Sequence, residues 1–305
     1  MSIVEKAMAK LHARNEAAAA VSTVESQRRM PPSTTVAAAH VQLPPAGRLP
    51  GQANPVVTLD IEALRRSGLL PPAEGAAQIQ DQFRRLKWPL LRAAWGKDVA
   101  PVSLGNVIAV VSAVPAEGKT FVTTNLALSL AQEHDCAAVV VDADVRKRGV
   151  TKLLGLTGRP GLIDIGTSTA FSLDDVVVRT SIPGLAVLPA GTPREDVPEI
   201  FGSHRVEQVI AEMSARWPQC IWLFDSAPLL ATPEAQLLAR NVGQVLMVVR
   251  ADYTPAPAVN EAISLLDRRK AISCVLNHAV TGVGSESYYN HYYGGDGVDE
   301  RKARD

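Results

Sequence analysis

The segment AVPAEGKT, Ala113–Thr120, has the residue spacing of a phosphate-binding loop. It stands between an apolar run and a helical stretch, the context in which backbone N–H groups at a helix N-terminus bind phosphate oxygens. We predict that Gly118 lets the backbone approach the phosphates, that Lys119 reaches the β- and γ-phosphates, and that Thr120 binds Mg²⁺. The predicted nucleotide-contacting residues are Val114, Pro115, Ala116, Glu117, Gly118, Lys119, Thr120 and Phe121.

Three aspartates follow two further apolar runs. Asp142 and Asp144 follow the apolar run in the segment VVVDADVR, and Asp225 lies at the end of the apolar run in IWLFDSAP. A lone Asp after a strand usually caps a helix, but three at the phosphate-binding end of one sheet predict a metal shell and a proton acceptor. We assign Mg²⁺ binding to Thr120, Asp142 and Asp225. The predicted catalytic residues are Lys119, Asp142 and Asp144, and the predicted chemistry is phosphoryl transfer or nucleotide hydrolysis.

The residues of this site require a sheet that brings them together. Six short apolar runs predict strands at Val107–Ser112, Ala138–Val141, Leu185–Pro189, Ile221–Phe224, Val245–Val249 and Ile272–Leu276. Helical stretches separate them near Phe121–Glu133, His204–Arg216, Pro233–Arg240 and Pro255–Arg269. Near-continuous apolar strands alternating with helices predict an α/β fold, a mostly parallel sheet with helices on both faces. The fold class is that of a P-loop NTPase.

Composition divides the chain into three parts. Residues 1–75 are rich in Pro and Ala and predict a flexible region with short helices, one of them capped by Asp60 and stopped by Gly68. Residues 76–280 form the predicted nucleotide-binding domain, whose first helix is expected to break or kink at Pro89. Residues 281–305 predict a flexible tail. This tail holds four of the five tyrosines of the chain, Tyr288, Tyr289, Tyr292 and Tyr293.

Charge and cysteine usage limit the possible partners. The chain has 31 basic and 31 acidic residues, and the tail has more acidic than basic side chains, so a nucleic-acid partner is not expected. The three cysteines lie in separate apolar runs, which is typical of a reduced, cytoplasmic protein. The opening residues are too charged for a signal peptide, and no apolar run approaches the ~20 residues of a membrane span.

Together, these motifs resemble the bacterial tyrosine kinases that regulate polysaccharide synthesis and export. They are most similar to the tyrosine autokinases of exosortase-linked exopolysaccharide loci, which are related to division-site and plasmid-partition ATPases. The resemblance covers residues 76–295 and the opening SIVEKAMAKL. Besides the three nucleotide motifs, it includes NLA at Asn125–Ala127, LPAGT at Leu188–Thr192 and the terminal tyrosines. It implies that ATP and Mg²⁺ support phosphorylation of the four tail tyrosines, with one protomer's tail entering another's site.

The resemblance also implies partners and two further sites. The expected partners are a transmembrane polysaccharide co-polymerase or chain-length determinant as activator, a protein-tyrosine phosphatase and further copies of the chain. The protein would be cytoplasmic and recruited to the inner membrane. The family's self-association motif, E-x-x-R-x-x-R, matches Asp81, Arg84 and Lys87, for which a solvated helix face is the alternative. Asn277 matches an asparagine that contacts adenine in related folds, with an ordinary strand-end turn as the alternative.

Two other classes of function remain open. A partition or positioning ATPase shares the fold and motifs, but it carries a lysine at the second position of the phosphate loop, where this chain has Val114. A nucleotide-binding regulator would bind ATP and produce no phosphotyrosine. This chain also departs from the kinase family at Ala227, where a proline is usual, and at Glu234, where an aspartate is common. Either departure is expected to leave nucleotide binding intact and to weaken turnover.

Overall fold

The computed structural model describes residues 49–51, 54–96 and 102–279. Both the opening SIVEKAMAKL and the four tail tyrosines lie outside these described residues. Within them, seven strands form one sheet: β1 (Val107–Ser112), β2 (Ala137–Asp142), β3 (Val178–Arg179), β4 (Leu185–Leu188), β5 (Cys220–Asp225), β6 (Gln244–Arg250) and β7 (Ala271–Asn277). The strand order is β3-β4-β2-β5-β1-β6-β7, and only β3 pairs antiparallel. The predicted mostly parallel α/β fold is confirmed.

The helices cover both faces of this sheet. They are α1 (Ile61–Arg66), α2 (Ala76–Trp95), α3 (Lys119–Ala131), α4 (Gly149–Leu153), α5 (Leu162–Thr167), α6 (Leu173–Val176), α7 (Val197–Phe201), α8 (His204–Arg216), α9 (Pro233–Asn241) and α10 (Ala256–Ser264). Among the described residues, no helix combines the length and the apolar character needed to span a bilayer.

The central strands are apolar throughout because both of their faces are covered. Every residue of β1, β2 and β5 is buried. Successive side chains of a strand point to opposite faces. Trp222 and Phe224 accordingly pack in the core on one side of the sheet, while Ile221 and Leu223 pack in the core on the other. This two-sided burial is why the central strands could be read as apolar runs without polar alternation. Strand β7, at the edge of the sheet, is largely half-buried.

Helix α2 differs from its prediction. It continues for 20 residues through Pro89, so of the two predicted effects of this proline, a break or a kink, the break is wrong. Proline cannot donate the backbone hydrogen bond of a helix interior. Here the side chains on either side of it are held by packing: Phe83 and Leu90 are buried in the core beside Leu126 of α3, and the Phe83 ring lies 6.1 Å from that of Phe121.

The segment before α2 lies against the sheet domain. Helix α1 begins as predicted, because the Asp60 carboxylate accepts a hydrogen bond from the Ala63 N–H at 2.9 Å. Gly68, just beyond the helix, adopts a left-handed φ of 76°. Leu64 is buried, and the Asn125 side chain of α3 donates to the Leu69 carbonyl at 2.8 Å. Packing against the domain therefore orders this proline-rich stretch.

The topology brings the three nucleotide motifs to one edge of the sheet. Strands β2, β5 and β1 are neighbours, and the register places Asp142 opposite Asp225 and Asp225 opposite Val110. The loops that leave these strands all begin at their carboxyl ends. Parallel sheets of this type bind ligands at that edge, so the candidate site lies there.

Candidate active site

The phosphate loop turns sharply into helix α3 at Gly118. Its φ is 93°, in the left-handed region that favours glycine. A Cβ atom added here would lie 2.0 Å from the Asn277 Nδ2 atom. That amide donates to the Glu117 carbonyl at 2.9 Å. Asn277 therefore lies against the phosphate loop and holds its backbone, and its contact with adenine stays a prediction.

Lys119 is largely withdrawn from water beneath the loop. Its ammonium donates to the Ser112 hydroxyl at 2.9 Å, and that hydroxyl donates to the Val114 carbonyl at 2.8 Å. Burial lowers the pKa of Lys119, while the nearby carboxylates of Asp225 and Asp144 oppose the shift. A phosphate group arriving at the loop would provide this ammonium with a counter-charge in a site of low water content.

Two aspartates of adjacent strands are buried at this edge. Asp225 is 2% exposed and accepts a hydrogen bond from the Thr120 hydroxyl at 2.8 Å. Burial raises its pKa to about 7. Asp142 is fully buried, and one carboxylate oxygen accepts from both the N–H and the hydroxyl of Thr151, at 2.8 and 2.7 Å. Burial raises the pKa of Asp142 as well. Asp144 is half-buried beside them.

These residues fit the expected Mg²⁺ ion. The Oδ1 atoms of Asp142 and Asp225 are both buried without a hydrogen-bond partner in the described structure. Unpartnered buried oxygens are rare and costly, and Mg²⁺ takes oxygen ligands. No group of three or more His, Cys, Asp or Glu residues in the described ranges could hold a metal ion by itself. Mg²⁺ in phosphoryl-transfer sites commonly uses one or two carboxylates with substrate phosphates, and the Thr120 hydroxyl adjoins Asp225.

The structure adds an ion pair that the sequence motifs did not indicate. Arg146, two residues beyond Asp144, donates to the buried Glu234 carboxylate at 2.8 Å. Glu234 is 2% exposed, and its second oxygen is buried without a partner. The pair fastens the loop after β2 to helix α9. The sequence signal for this ion pair was Glu234 itself, at a position where the kinases that the chain resembles commonly have Asp. The longer Glu side chain reaches farther toward Arg146.

The remaining predicted nucleotide-contacting residues have different surroundings. Val114 is half-buried, Pro115 and Ala116 are exposed on the loop, and Phe121 packs toward α2 against Phe83. Glu117 is fully buried, with its carboxylate accepting a hydrogen bond from the Val114 N–H at 2.7 Å. Its side chain thus belongs to the framework of the loop.

The predicted self-association residues do not share one exposed surface. Asp81 and Arg84 are exposed and pair with each other at 2.8 Å. Lys87 is buried, and its ammonium contacts the Ser129 carbonyl at 3.0 Å and the Glu133 carboxylate at 2.5 Å. Lys87 therefore fastens α2 to α3 within the chain, and of the three predicted residues Asp81 and Arg84 have exposed side chains.

Sequence comparison finds relatives among bacterial kinases. The chain is 30% identical over 196 residues to the tyrosine-protein kinase Wzc of Salmonella typhimurium, a match that covers 63% of this chain and 27% of Wzc. It is 28% identical over 184 residues to the putative tyrosine-protein kinase CapB of Staphylococcus aureus, covering 59% of this chain and 78% of CapB. The chain spans about a quarter or less of the first relatives it matches. No protein-family model matches it.

Comparison with solved structures gives the same result. The VpsO kinase domain is 27% identical and superposes with a TM-score of 0.55 over 68% of this chain and all of that domain. The chimerical protein CapA2B2 superposes with a TM-score of 0.57 at 22% identity, over 75% of this chain and 96% of the chimera. The predicted resemblance to bacterial tyrosine kinases is confirmed: this chain is similar in sequence to these kinases and has the fold of the VpsO kinase domain.

Proposed function

We propose that this chain is an ATP- and Mg²⁺-dependent protein-tyrosine autokinase that phosphorylates its own C-terminal tyrosine cluster and regulates exopolysaccharide or capsule synthesis and export. Residues 76–280 are the kinase domain and residues 281–305 the acceptor tail. The observation that supports this most strongly is the meeting of Lys119, the Thr120 hydroxyl and the two buried carboxylates Asp142 and Asp225 at the end of adjacent strands. This arrangement suits phosphoryl transfer, in which positioning and electrostatics supply most of the catalysis.

Each residue has a role that its surroundings support. The loop N–H groups and Lys119 bind the β- and γ-phosphates and stabilise the charge on the transferring phosphoryl group. Thr120 and Asp225 would hold the Mg²⁺ ion, which would neutralise phosphate charge. The tyrosine oxygen forms its bond to the γ-phosphorus as the bond to the ADP oxygen breaks. Asp142, supported by Asp144, accepts the hydroxyl proton.

The raised pKa of Asp142 is consistent with the role of a base. A tyrosine hydroxyl has an ordinary pKa of ~10 and is a weak nucleophile at neutral pH. A carboxylate whose pKa is raised by burial takes the proton more readily than an ordinary aspartate. Thr151 fixes one oxygen of Asp142, so the unpartnered oxygen is the one left for the metal or the proton.

The acceptor and the partners follow from the family resemblance. Tyr288, Tyr289, Tyr292 and Tyr293 are the proposed acceptors, modified in trans between protomers that associate through α2, where Asp81 and Arg84 are exposed. A transmembrane polysaccharide co-polymerase is the proposed activator and recruits the cytoplasmic chain to the inner membrane. A protein-tyrosine phosphatase reverses the modification.

Autophosphorylation tests the proposal directly. The full chain is incubated with ATP and Mg²⁺, with and without the cytoplasmic segment of the activator, and phosphosites are mapped by mass spectrometry. We expect phosphate on the four tail tyrosines and none in Lys119→Met. Unmodified tail tyrosines in a chain that binds ATP would overturn the kinase proposal. ATP hydrolysis without phosphotyrosine would indicate a positioning-type ATPase, and binding alone would indicate a regulator.

A mixing experiment tests transfer between protomers. A chain with all four tail tyrosines changed to Phe keeps the active site but has no acceptor. Lys119→Met keeps the acceptors and lacks the active site. When these two chains are mixed, phosphate on the Lys119→Met chain is expected for transfer in trans. Transfer in trans would be contradicted if active wild-type protein left the Lys119→Met chain unmodified.

A further inference from the structure

Glu117 is a buried carboxylate inside the phosphate loop, at a position that the loop motif leaves variable. One of its oxygens accepts from the Val114 N–H at 2.7 Å. The other accepts from the Thr254 hydroxyl at 2.5 Å and from the Arg250 N–H at 3.3 Å. Val114 belongs to the loop itself, while Arg250 and Thr254 lie at the end of β6 and in the turn beyond it. The Glu117 side chain therefore joins Val114, at the start of the phosphate loop, to the end of strand β6.

Two contacts from the same side hold the backbone of the loop. The Arg250 guanidinium donates to the Ala116 carbonyl at 3.3 Å, and Asn277 donates to the Glu117 carbonyl at 2.9 Å. The Arg250 guanidinium is itself placed over the Tyr253 ring, 4.7 Å from its centroid. The ends of β6 and β7 thus occupy two successive carbonyl groups of the loop.

The direction of these carbonyls decides the direction of the neighbouring N–H groups. Within one trans peptide group, the C=O bond and the N–H bond of the following residue point in opposite directions. Carbonyls of Ala116 and Glu117 held toward β6 and β7 therefore turn the N–H groups of Glu117 and Gly118 to the opposite side. Converging N–H groups of this kind bind phosphate.

We infer that Glu117 is a positioning residue for the nucleotide, and that Thr254 and Arg250 at the end of β6 are its support. The inference rests on the proposed nucleotide binding and adds the residues that set the shape of the loop before phosphate arrives. A loop already fixed in its binding shape loses less conformational entropy on binding. Removing the support at Thr254 therefore weakens nucleotide affinity although Thr254 is not among the residues proposed to bind the nucleotide.

Paired substitutions at Thr254 isolate this effect. Thr254→Val keeps the shape of the side chain and removes its hydroxyl, and Thr254→Ser keeps the hydroxyl. Glu117→Gln replaces one acceptor oxygen by an NH₂ group. All three hydrogen-bond partners of Glu117 donate to it, so the NH₂ group cannot accept from them. Thr180→Val is the matched control, because the Thr180 hydroxyl also donates a hydrogen bond, to the Leu185 carbonyl at 2.9 Å, far along the chain from the phosphate loop.

The experiment measures the Kd of a fluorescent ADP analogue with Mg²⁺ for the full chain, and the Tm of each variant. We expect Thr254→Val and Glu117→Gln to weaken binding by about tenfold, the effect of one hydrogen bond to a charged group. Thr254→Ser should stay within about twofold of wild type. Thr180→Val should lower the Tm without changing Kd.

Equal Kd values for wild type, Thr254→Val and Glu117→Gln would overturn the inference and leave the proposed function intact. A loss of affinity that Thr254→Ser fails to restore would also overturn it, because the hydroxyl would then not be the cause. A wild-type chain that does not bind the analogue would overturn the proposed function and the inference with it.

Discussion

Replacing Asp225 by Asn should stabilise the nucleotide-free protein, and the gain should increase with pH. The Asp225 carboxylate is 2% exposed, and burial raises its pKa from 3.8 to about 7. A raised folded-state pKa contributes stability that is fully present below the unfolded value and is lost as the pH rises through the folded value. Asparagine does not ionise, and its carbonyl oxygen can still accept the Thr120 hydroxyl.

The size of the effect follows from the pKa difference. A shift of about 3 units at about 1.4 kcal/mol each gives a cost of about 4 kcal/mol when the carboxylate is ionised, well above pH 7. About 2–3 kcal/mol of this cost develops between pH 5 and pH 8. For a domain of this size it corresponds to a difference of roughly 5–10 °C in Tm.

Thermal unfolding without Mg²⁺ or nucleotide measures this difference in stability. The Tm of Asp225→Asn minus that of wild type should grow between pH 5 and pH 8, while the exposed control Asp252→Asn should show little change in that difference. With Mg²⁺ and ADP the order should reverse, because only wild type keeps the metal ligand and gains ligand stabilisation. An equal Tm difference at both pH values would refute the buried, titrating carboxylate.

Three further variants test other parts of the structure. Gly118→Ala should abolish ADP binding and lower stability by about 1–3 kcal/mol, since its Cβ would meet Asn277 at 2.0 Å in a left-handed backbone; retained binding in a fluorescence titration would contradict this. Glu133→Ala should lower the free energy of unfolding in urea by about 2–3 kcal/mol, because it leaves the buried Lys87 ammonium without its carboxylate. Lys87→Met should lower it by under about 1 kcal/mol. The reverse order would refute the pairing. Leu64→Ala should cost about 2–4 kcal/mol, and an unchanged urea midpoint would mean that α1 is not packed on the domain.

The sequence was sufficient for six of the seven strands and for the meeting of Asp142 with Asp225, but the two-residue strand β3 was not predicted. Each predicted strand agrees with the observed one to within a residue at either end, because two-sided burial makes a strand apolar along its whole length. Asp142 and Asp225 could be placed together because both end strands of one parallel sheet, and the register confirms their alignment.

Contacts made across the fold were not predictable in this way. Glu117 and Thr254 are 137 positions apart, and nothing local distinguishes a buried glutamate in a loop from a solvated one. Lys87 has the spacing of a surface motif, but the carboxylate and carbonyl that bury it belong to α3 and the residues just after it. Pro89 was expected to break or kink α2. The continuity of the helix was not predictable, because the packing beside the proline depends on another helix.

The strand order also has a consequence for biosynthesis. Strand β1, which carries the phosphate loop, pairs only with β5 and β6, both of which follow it by roughly a hundred residues or more. At ribosomal rates of about 5–20 residues per second, β1 waits about 5–20 s for its first partner. Until then its apolar residues lack their sheet neighbours, and the nascent chain depends on chaperones or on its own collapse. The candidate nucleotide site, which includes Asp225 of β5, can therefore form only after that strand has been synthesised.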